Sequence, residues 1–284
     1  MLKLHVLGVG DAFSERYHNA CLAIEEPGSA TVLLLDCPPA LPRVLSDHRK
    51  RTHANLSVQT IDHVLITHLH GDHCGGLEAY FFMRRFLVRR KPFLYGAKVV
   101  LDPLWEHRLS GGMAYLAPPA PEFSQREIED QLREPIYKHP KADAALQASR
   151  QVLLPSAHGL QLSDYAERID LQTRTQIGPL VIEHRFTCHH VPTTAIRISL
   201  LNHREPLLGY SSDTAFDPDL IAWLCEAETV IHETNFGIHT PLHALMLLPE
   251  KYRDKMHLIH YPDALDCEKS PIRCLREGAV LTLG

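Results

Sequence analysis

Along the first 70 residues the chain alternates short apolar runs with turn formers: Leu2 to Leu7, Thr31 to Leu35 and Ile61 to Thr67 are each closed by Gly, Asp, Pro or His. Runs of this kind predict buried strands. A second series begins after about residue 177, with Pro179 to Thr187, Ala195 to Leu201, Pro206 to Gly209, Thr229 to Ile231, His257 to Ile259 and Val280 to Leu283. The middle reads differently. Gly76 to about Arg90 has helical spacing, while Ala117 to Pro121 is proline-rich and fits neither a helix nor a central strand. Ser124 with Glu127 makes a capping box ahead of a helix that carries Ile128 and Leu132 on one face, and another helix is expected from Lys141 to Leu153. Two strand-rich halves thus bracket a helical insertion at about 92–176. No low-complexity linker or internal repeat divides the chain, so one domain over 1–284 is expected.

At 284 residues, 45% hydrophobic and 22% charged, the chain can build a large core and lacks the polar bias of disorder. Its net charge of −5 excludes a broad cationic footprint for nucleic acid but leaves room for a local basic patch. Seven cysteines, an odd number without a Cys-x-x-Cys pair, argue against a disulfide framework or a thiolate zinc site and suit a reducing cytoplasm. The start, MLKLHVLGVGDAF, has no leader pattern, and no apolar run approaches the ~20 residues that span a bilayer. A cytoplasmic protein with no membrane attachment is expected.

Twenty histidines are more than a globular chain needs, and one segment concentrates them. Thr67-His68-Leu69-His70-Gly71-Asp72-His73 places four metal-ligand side chains directly after the strand-like DHVLIT. Chance alone would produce this spacing in roughly 1 chain in 200 of the same composition, so composition explains it poorly. Residues two apart in an extended segment share a side, which pairs His68 with His70, while Asp72 and His73 at the turn into a helix face an adjacent position. Such a loop suits two metals a few ångströms apart. Further donors follow strand-like runs: His189-His190, Asp213 and His260. Ligands at the ends of several strands would converge on one sheet edge.

These residues resemble the metallo-β-lactamase superfamily, in particular the branch of the tRNA 3′-processing endonuclease (tRNase Z) and its phosphodiesterase relatives, over about residues 1–91 and 177–284. His68, His70, Asp72 and His73 match the H-x-H-x-D-H loop. In HHVPTTAIRI, His190 matches the histidine that precedes the strand from near Ala195, His189 sitting one place too early. Asp213 in YSSDT matches the bridging aspartate and His260 in HLIHYPD the final ligand. His232-Glu233-Thr234 looks like the His-Glu-Ala-Thr motif, and His239-Thr240 like a later His-Ser-Thr motif. The resemblance implies an α/β (α+β) fold, the four-layer αβ/βα sandwich, here with a helical insertion in the middle of the chain. It also implies two divalent ions, Zn²⁺ by preference with Mn²⁺ or Fe as alternatives. His68, His70 and His190 would hold one, Asp72, His73 and His260 the other, and Asp213 would stand between them. The implied nucleophile is their bridging hydroxide, with Asp72 orienting the water and His239, polarised by Glu233, protonating the leaving group.

The expected activity is that of a phosphodiesterase on a small-molecule or nucleotide-like phosphoester, including a cyclic phosphate. Lactone, thioester or β-lactam hydrolysis on the same fold is the alternative, and a non-catalytic metal- or nucleic-acid-binding module the second. Transfer RNA does not fit: there is no room between His190 and Asp213 for the arm that grips it, His239 follows Glu233 closely, and Pro241 and His243 break the later motif. A homodimer is compatible with the sequence. The basic run Arg84, Arg85, Arg89, Arg90 and Lys91 reads as a solvated helix face in preference to a phosphate site. Asp11 and His18 resemble the family's first loop, Cys74 reads as a small buried hydrophobe, and the other histidines, His5 and His48 among them, read as surface or core residues.

Overall fold

The computed structural model describes residues 1–115 and 159–284. The expected apolar runs are strands. β1 (Leu2–Gly8), β2 (Cys21–Glu25), β3 (Val32–Leu35), β4 (His63–Leu65), β5 (Phe93–Gly96) and β6 (Glu167–Asp170) lie in one sheet. β7 (Thr175–Ile177), β8 (Leu180–Phe186), β9 (Thr194–Leu200), β10 (Leu208–Tyr210), β11 (Thr229–Glu233), β12 (Met256–Ile259) and β13 (Arg273–Cys274) form a second, and β14 (Val280–Leu283) returns to the first. Among the described residues the orders are β14-β1-β2-β3-β4-β5-β6 and β13-β12-β11-β10-β9-β8-β7.

Strand alternation builds the core. Leu2, Leu4 and Val6 of β1, Leu22 and Ile24 of β2, and Leu33 and Leu35 of β3 meet Ile182, Ile196, Ile198, Leu208, Tyr210, Ile231 and Leu258 of the other sheet in one buried cluster. The opposite face of the first sheet is also buried, because α1 (Leu41–Thr52) and α3 (Leu77–Met83), on either side of the short α2 (Gly71–Cys74), turn Leu41, Val44, Leu45, Leu77, Tyr80 and Phe81 inward. On the second sheet the helix Pro218–Leu224, capped by the Asp217 side chain, packs on β10. At Gly209 a Cβ would come within 2.8 Å of the Leu224 carbonyl oxygen, so only glycine admits the helix this closely. The result is a helix–sheet–sheet–helix sandwich of the metallo-β-lactamase kind.

Two compact units are distinguished, residues 1–104 with 162–284, and 105–161. The insertion is therefore narrower than the sequence suggested: within 92–176, β5, β6 and β7 are sheet members. In the second unit the described elements are the turn Trp105–Leu109 and the helix Ser110–Met113. Ala117–Pro121 and the helices expected around 124–132 and 141–153 lie outside the described residues. β9 and β10 are joined by the short connection 201–207, with no arm between them. No helix among the described residues is long and apolar enough to cross a membrane.

The basic run is not simply a solvated face. Arg84 is fully buried and donates to the carbonyls of Val58 (3.1 Å) and Gln59 (3.3 Å), and both it and Arg90 pair with Asp62.

His5 and His48 are core residues that pin α1 to β1. Their rings meet at 3.2 Å (Nδ1 to Nε2), and His5 Nε2 is 3.0 Å from Glu25 Oε2. Burial, reinforced by His5, holds His48 down at about 4. Because the unfolded chain takes up this proton near pH 6.5 and the folded one does not, stability is complete above pH 6.5 and is lost as pH falls toward 4. Urea melts at pH 7 and pH 5 should therefore differ by on the order of 2 kcal/mol from this group, and His48→Gln should shrink the difference. An unchanged pH dependence in the variant would overturn the assignment.

Candidate metal centre

β3, β4 and β5 run parallel, as do β10, β11 and β12, so their C-terminal ends fall on one edge of the sandwich. The chemistry collects there. β3 is followed by Asp36, β4 leads through Thr67 into the histidine loop and α2, β10 ends before Asp213, β11 ends on Glu233, and β12 is followed by His260. Three non-glycine residues of this edge, Asp36 (φ 62°), Ser212 (φ 51°) and His260 (φ 53°), are held in the left-handed region, a strain that the surrounding structure has to support.

The histidine loop is braced from below. Asp36 Oδ1 accepts from Thr67 N (2.8 Å) and Thr67 Oγ1 (2.9 Å), and Asp36 Oδ2 lies 2.8 Å from His73 Nδ1. Thr67 Oγ1 is 3.0 Å from His68 Nδ1. Cys37 N donates to His73 O (2.6 Å), and Gly76 N to Cys37 O (2.8 Å). At Gly76 a Cβ would lie 2.1 Å from the Pro38 carbonyl oxygen, so glycine is required for α2 and α3 to start against this loop. The other sheet joins through Thr194, whose N and Oγ1 both donate to Thr67 O at 3.1 Å.

Two groups of donors result. His68, His70, His189 and Asp213 form one and Asp72, His73 and His260 the other, each with ligand atoms within 4.8 Å of one another; a third set meeting the same limit, Asp213, His239 and His260, overlaps both. Asp213 joins the groups: its Oδ2 is 3.6 Å from His68 Nε2, 3.8 Å from His189 Nε2 and 3.7 Å from His260 Nε2, and its Oδ1 is 3.3 Å from His73 Nε2. Asp72 Oδ2 lies 3.3 Å from both His73 Nε2 and His260 Nε2. The geometry departs from the sequence expectation at one position. His189, not His190, enters the four-residue group, whereas His190 is exposed, its Nε2 2.9 Å from the Nε2 of His70. The loop between β8 and β9 is tied to Asp213 through Thr187 Oγ1 donating to Asp213 O (2.7 Å) and Ala215 N donating to Cys188 O (2.7 Å), and this turns the earlier histidine inward.

The electrostatics fit divalent cations. Burial pushes His68 well below its ordinary value and holds His189 at about 4, which keeps both rings in the neutral, lone-pair-bearing form. Asp72 and Asp213 are held low despite burial by the histidines around them. Burial works against a charged His260, but Asp213, Asp72 and Glu233 outweigh it and push it up to about 10, and carboxylates raise His73 likewise. The carboxylates thus call for positive charge at this point. His73 Nε2 and Asp213 Oδ1 are buried without a hydrogen-bond partner, as expected of atoms that serve a metal. Imidazole and carboxylate donors in two adjoining sets suit Zn²⁺ and its neighbours.

Beside these donors stand Glu233 and His239. Glu233 is fully buried, and its Oε1 accepts from Thr214 N (2.6 Å) and lies 2.9 Å from His239 Nδ1. His239 Nδ1 is 4.0 Å from Asp213 Oδ2. Burial opposes a charged His239, yet Glu233 and Asp213 raise it above its ordinary value. His232 Nδ1 is 2.7 Å from the Glu233 carbonyl, a structural contact.

Asp11 sits one step behind the site, where Oδ2 accepts from Asn235 Nδ2 (2.8 Å), an amide that also donates to His260 O (3.3 Å). His18 pairs with Asp47 instead. Cys74 is buried and belongs to neither donor group. Asp36, Thr67 and Asn235 escaped sequence reasoning. For Asp36 the one available signal was an acidic residue closing the apolar run Val32–Leu35.

The profile of the family "Anti-Pycsar protein Apyc1" matches residues 2–130 and 128–274. Relatives of that name include a protein from Paenibacillus sp. (strain J14), 30% identical with 99% of each chain covered, and one from Paenibacillus harenae, 28% identical with 93% of this chain and 92% of the relative covered. Among solved structures the fold is similar to the metallo-β-lactamase fold protein YhfI of Bacillus subtilis (TM-score 0.65, 16% identity, 99% of this chain and 100% of that one). It is also similar to a diphosphatase of the PhnP family (0.63, 12%, 99% and 98%) and to the short form of human tRNase Z (0.60, 15%, 99% of both).

Proposed function

The chain belongs to the family of the anti-Pycsar protein Apyc1, and from that membership we propose that this metal-dependent hydrolase is a phosphodiesterase that opens the cyclic phosphodiester of a nucleotide. The observation that carries the reading is the Glu233–His239 pair beside the two donor groups. An alkoxide leaving group needs a proton as its bond to phosphorus breaks, and a positioned imidazole supplies one.

The fit of the donors supports two divalent ions, zinc by preference, with His68, His70 and His189 on one side, Asp72, His73 and His260 on the other, and Asp213 shared. When bound, such ions lower the pKa of a water toward neutrality and offset charge on the phosphoryl oxygens. The residues of the chain do the rest. Asp72 orients the attacking water. Glu233, an acceptor, fixes the Nδ1–H of His239 and leaves Nε2 to hand its proton to the departing oxygen. Glu233 and Asp213 outweigh burial and raise His239 above its ordinary value, which favours the protonated, donating form.

Incubation of a 3′,5′-cyclic nucleoside monophosphate with purified protein and Zn²⁺ or Mn²⁺ should yield the linear monophosphate. Turnover of lactones, thioesters or β-lactams in its place would overturn the reading. His239→Ala should slow release of an alkoxide by about 10²- to 10⁴-fold and of p-nitrophenolate, which departs without a proton, far less. Equal losses on both substrates would remove His239 from the acid role.

A further inference from the structure

Next to the metal centre lies a pocket of about 400 Å³, whose walls include Phe236, Pro241, Leu242, Pro262 and Leu265. This is within the ~300–1,000 Å³ range of small-ligand sites. Its lining adjoins the site along the chain: Thr234 and Asn235, which also line it, directly follow Glu233, and Pro262 lies two residues beyond His260. The loop 234–240 is rigidly tied, with Asn235 N and Thr234 Oγ1 each donating to Thr240 O at 3.0 Å, and Phe236 N to Asn235 Oδ1 at 2.8 Å. The Asn235 side chain is held in turn by Asp11 and by the His260 carbonyl. The same loop therefore directs His239 at Glu233 and leaves Phe236, which lines the pocket, 72% exposed.

An aromatic side chain kept in water by a well-braced loop offers its face to a flat ligand, and here the same loop carries, three residues further on, the group that would protonate the leaving oxygen, with His239 N donating to Phe236 O at 3.5 Å. We propose that this pocket receives the base of the substrate nucleotide, stacked on Phe236; the proposal rests on the phosphodiesterase reading above. The sugar that carries the departing oxygen would then place its base beside His239. Because every base has a π-face, stacking separates nucleotides from base-free phosphodiesters without strong choice among bases.

The test uses the metal-loaded enzyme and Phe236→Ala, with Phe236→Tyr as the rescue; the exposure of the ring makes misfolding of either variant no concern. Loss of stacking should raise KM for cyclic purine and pyrimidine monophosphates by about tenfold or more with kcat nearly unchanged, and Phe236→Tyr should restore it. The ratio of kcat/KM for a cyclic nucleotide to that for the base-free 1-O-methyl ribose 3′,5′-cyclic phosphate should fall by the same factor. Saturation-transfer NMR with a nucleoside 5′-monophosphate should show contact to the base protons that disappears in Phe236→Ala. Equal kinetic losses on the base-free substrate, or base contacts that survive the substitution, would overturn the proposal. An enzyme that turns over no phosphodiester while the base contacts still depend on Phe236 would sink the phosphodiesterase reading and leave the pocket standing.

Discussion

Asp213→Ala should leave the protein with at most one metal ion per chain and cut phosphodiester turnover by at least about a thousandfold, or about 4 kcal/mol in the barrier. Among the described residues Asp213 is the carboxylate that approaches both donor groups, with His68, His189, His260 and His73 all within 3.8 Å of its oxygens. Its removal takes a ligand from each group at once and leaves His73 and His260 facing one another with less negative charge between them. Elemental analysis of gently purified protein reads the metal content, and far-ultraviolet circular dichroism shows that the sandwich is retained. A variant with two metals per chain and a rate within tenfold of the parent would refute the shared-ligand assignment.

The second large effect separates two adjacent histidines. His189→Ala should cost at least about a hundredfold in turnover and weaken metal retention, since direct ligands matter more than the outer partners whose loss costs 10- to 100-fold. His190→Ala should cost less than about tenfold, because that ring is exposed and stands at the rim of the donors, its Nε2 2.9 Å from His70 Nε2 and its centroid 4.4 Å from that of His189. Reversal of this order, with His190 the more damaging loss, would return the ligand to the position that the sequence motif favoured.

That pair also shows where sequence reading reaches its limit. His68, His70, Asp72 and His73 are legible because all four stand on one loop, where chain geometry alone dictates which side each faces. His189 and His190 lie in the connection between β8 and β9, which has no periodicity to set its register. Tertiary bonds such as those from Thr187 and to Cys188 hold the loop in the register that turns His189 inward. Asp36 could not be singled out because its function depends on Thr67 and His73, over 30 positions further along the chain. Among the strands, β1, β3 and β8 were readable from apolar runs. β6, with the sequence Glu-Arg-Ile-Asp at the edge of its sheet, is half solvated and shows no such pattern. With β5 and β7 it falls inside the span of about 92–176 that the sequence assigns to the insertion. Arg84, likewise, sits in a run of basic residues, and only the carbonyls of Val58 and Gln59 single it out as buried.

The brace that Asp36 provides bears on how the centre is filled. Thr67 and His73 are fixed by hydrogen bonds within the protein, so the ordering entropy of the ligand loop is spent during folding and not at metal capture. A chelator should then strip the ions from a protein that stays folded, and the stripped protein should reload without refolding. The ions would still raise stability, but only by mass action on the native state. A scaffold preorganised in this way would take up whichever divalent ion is available without refolding.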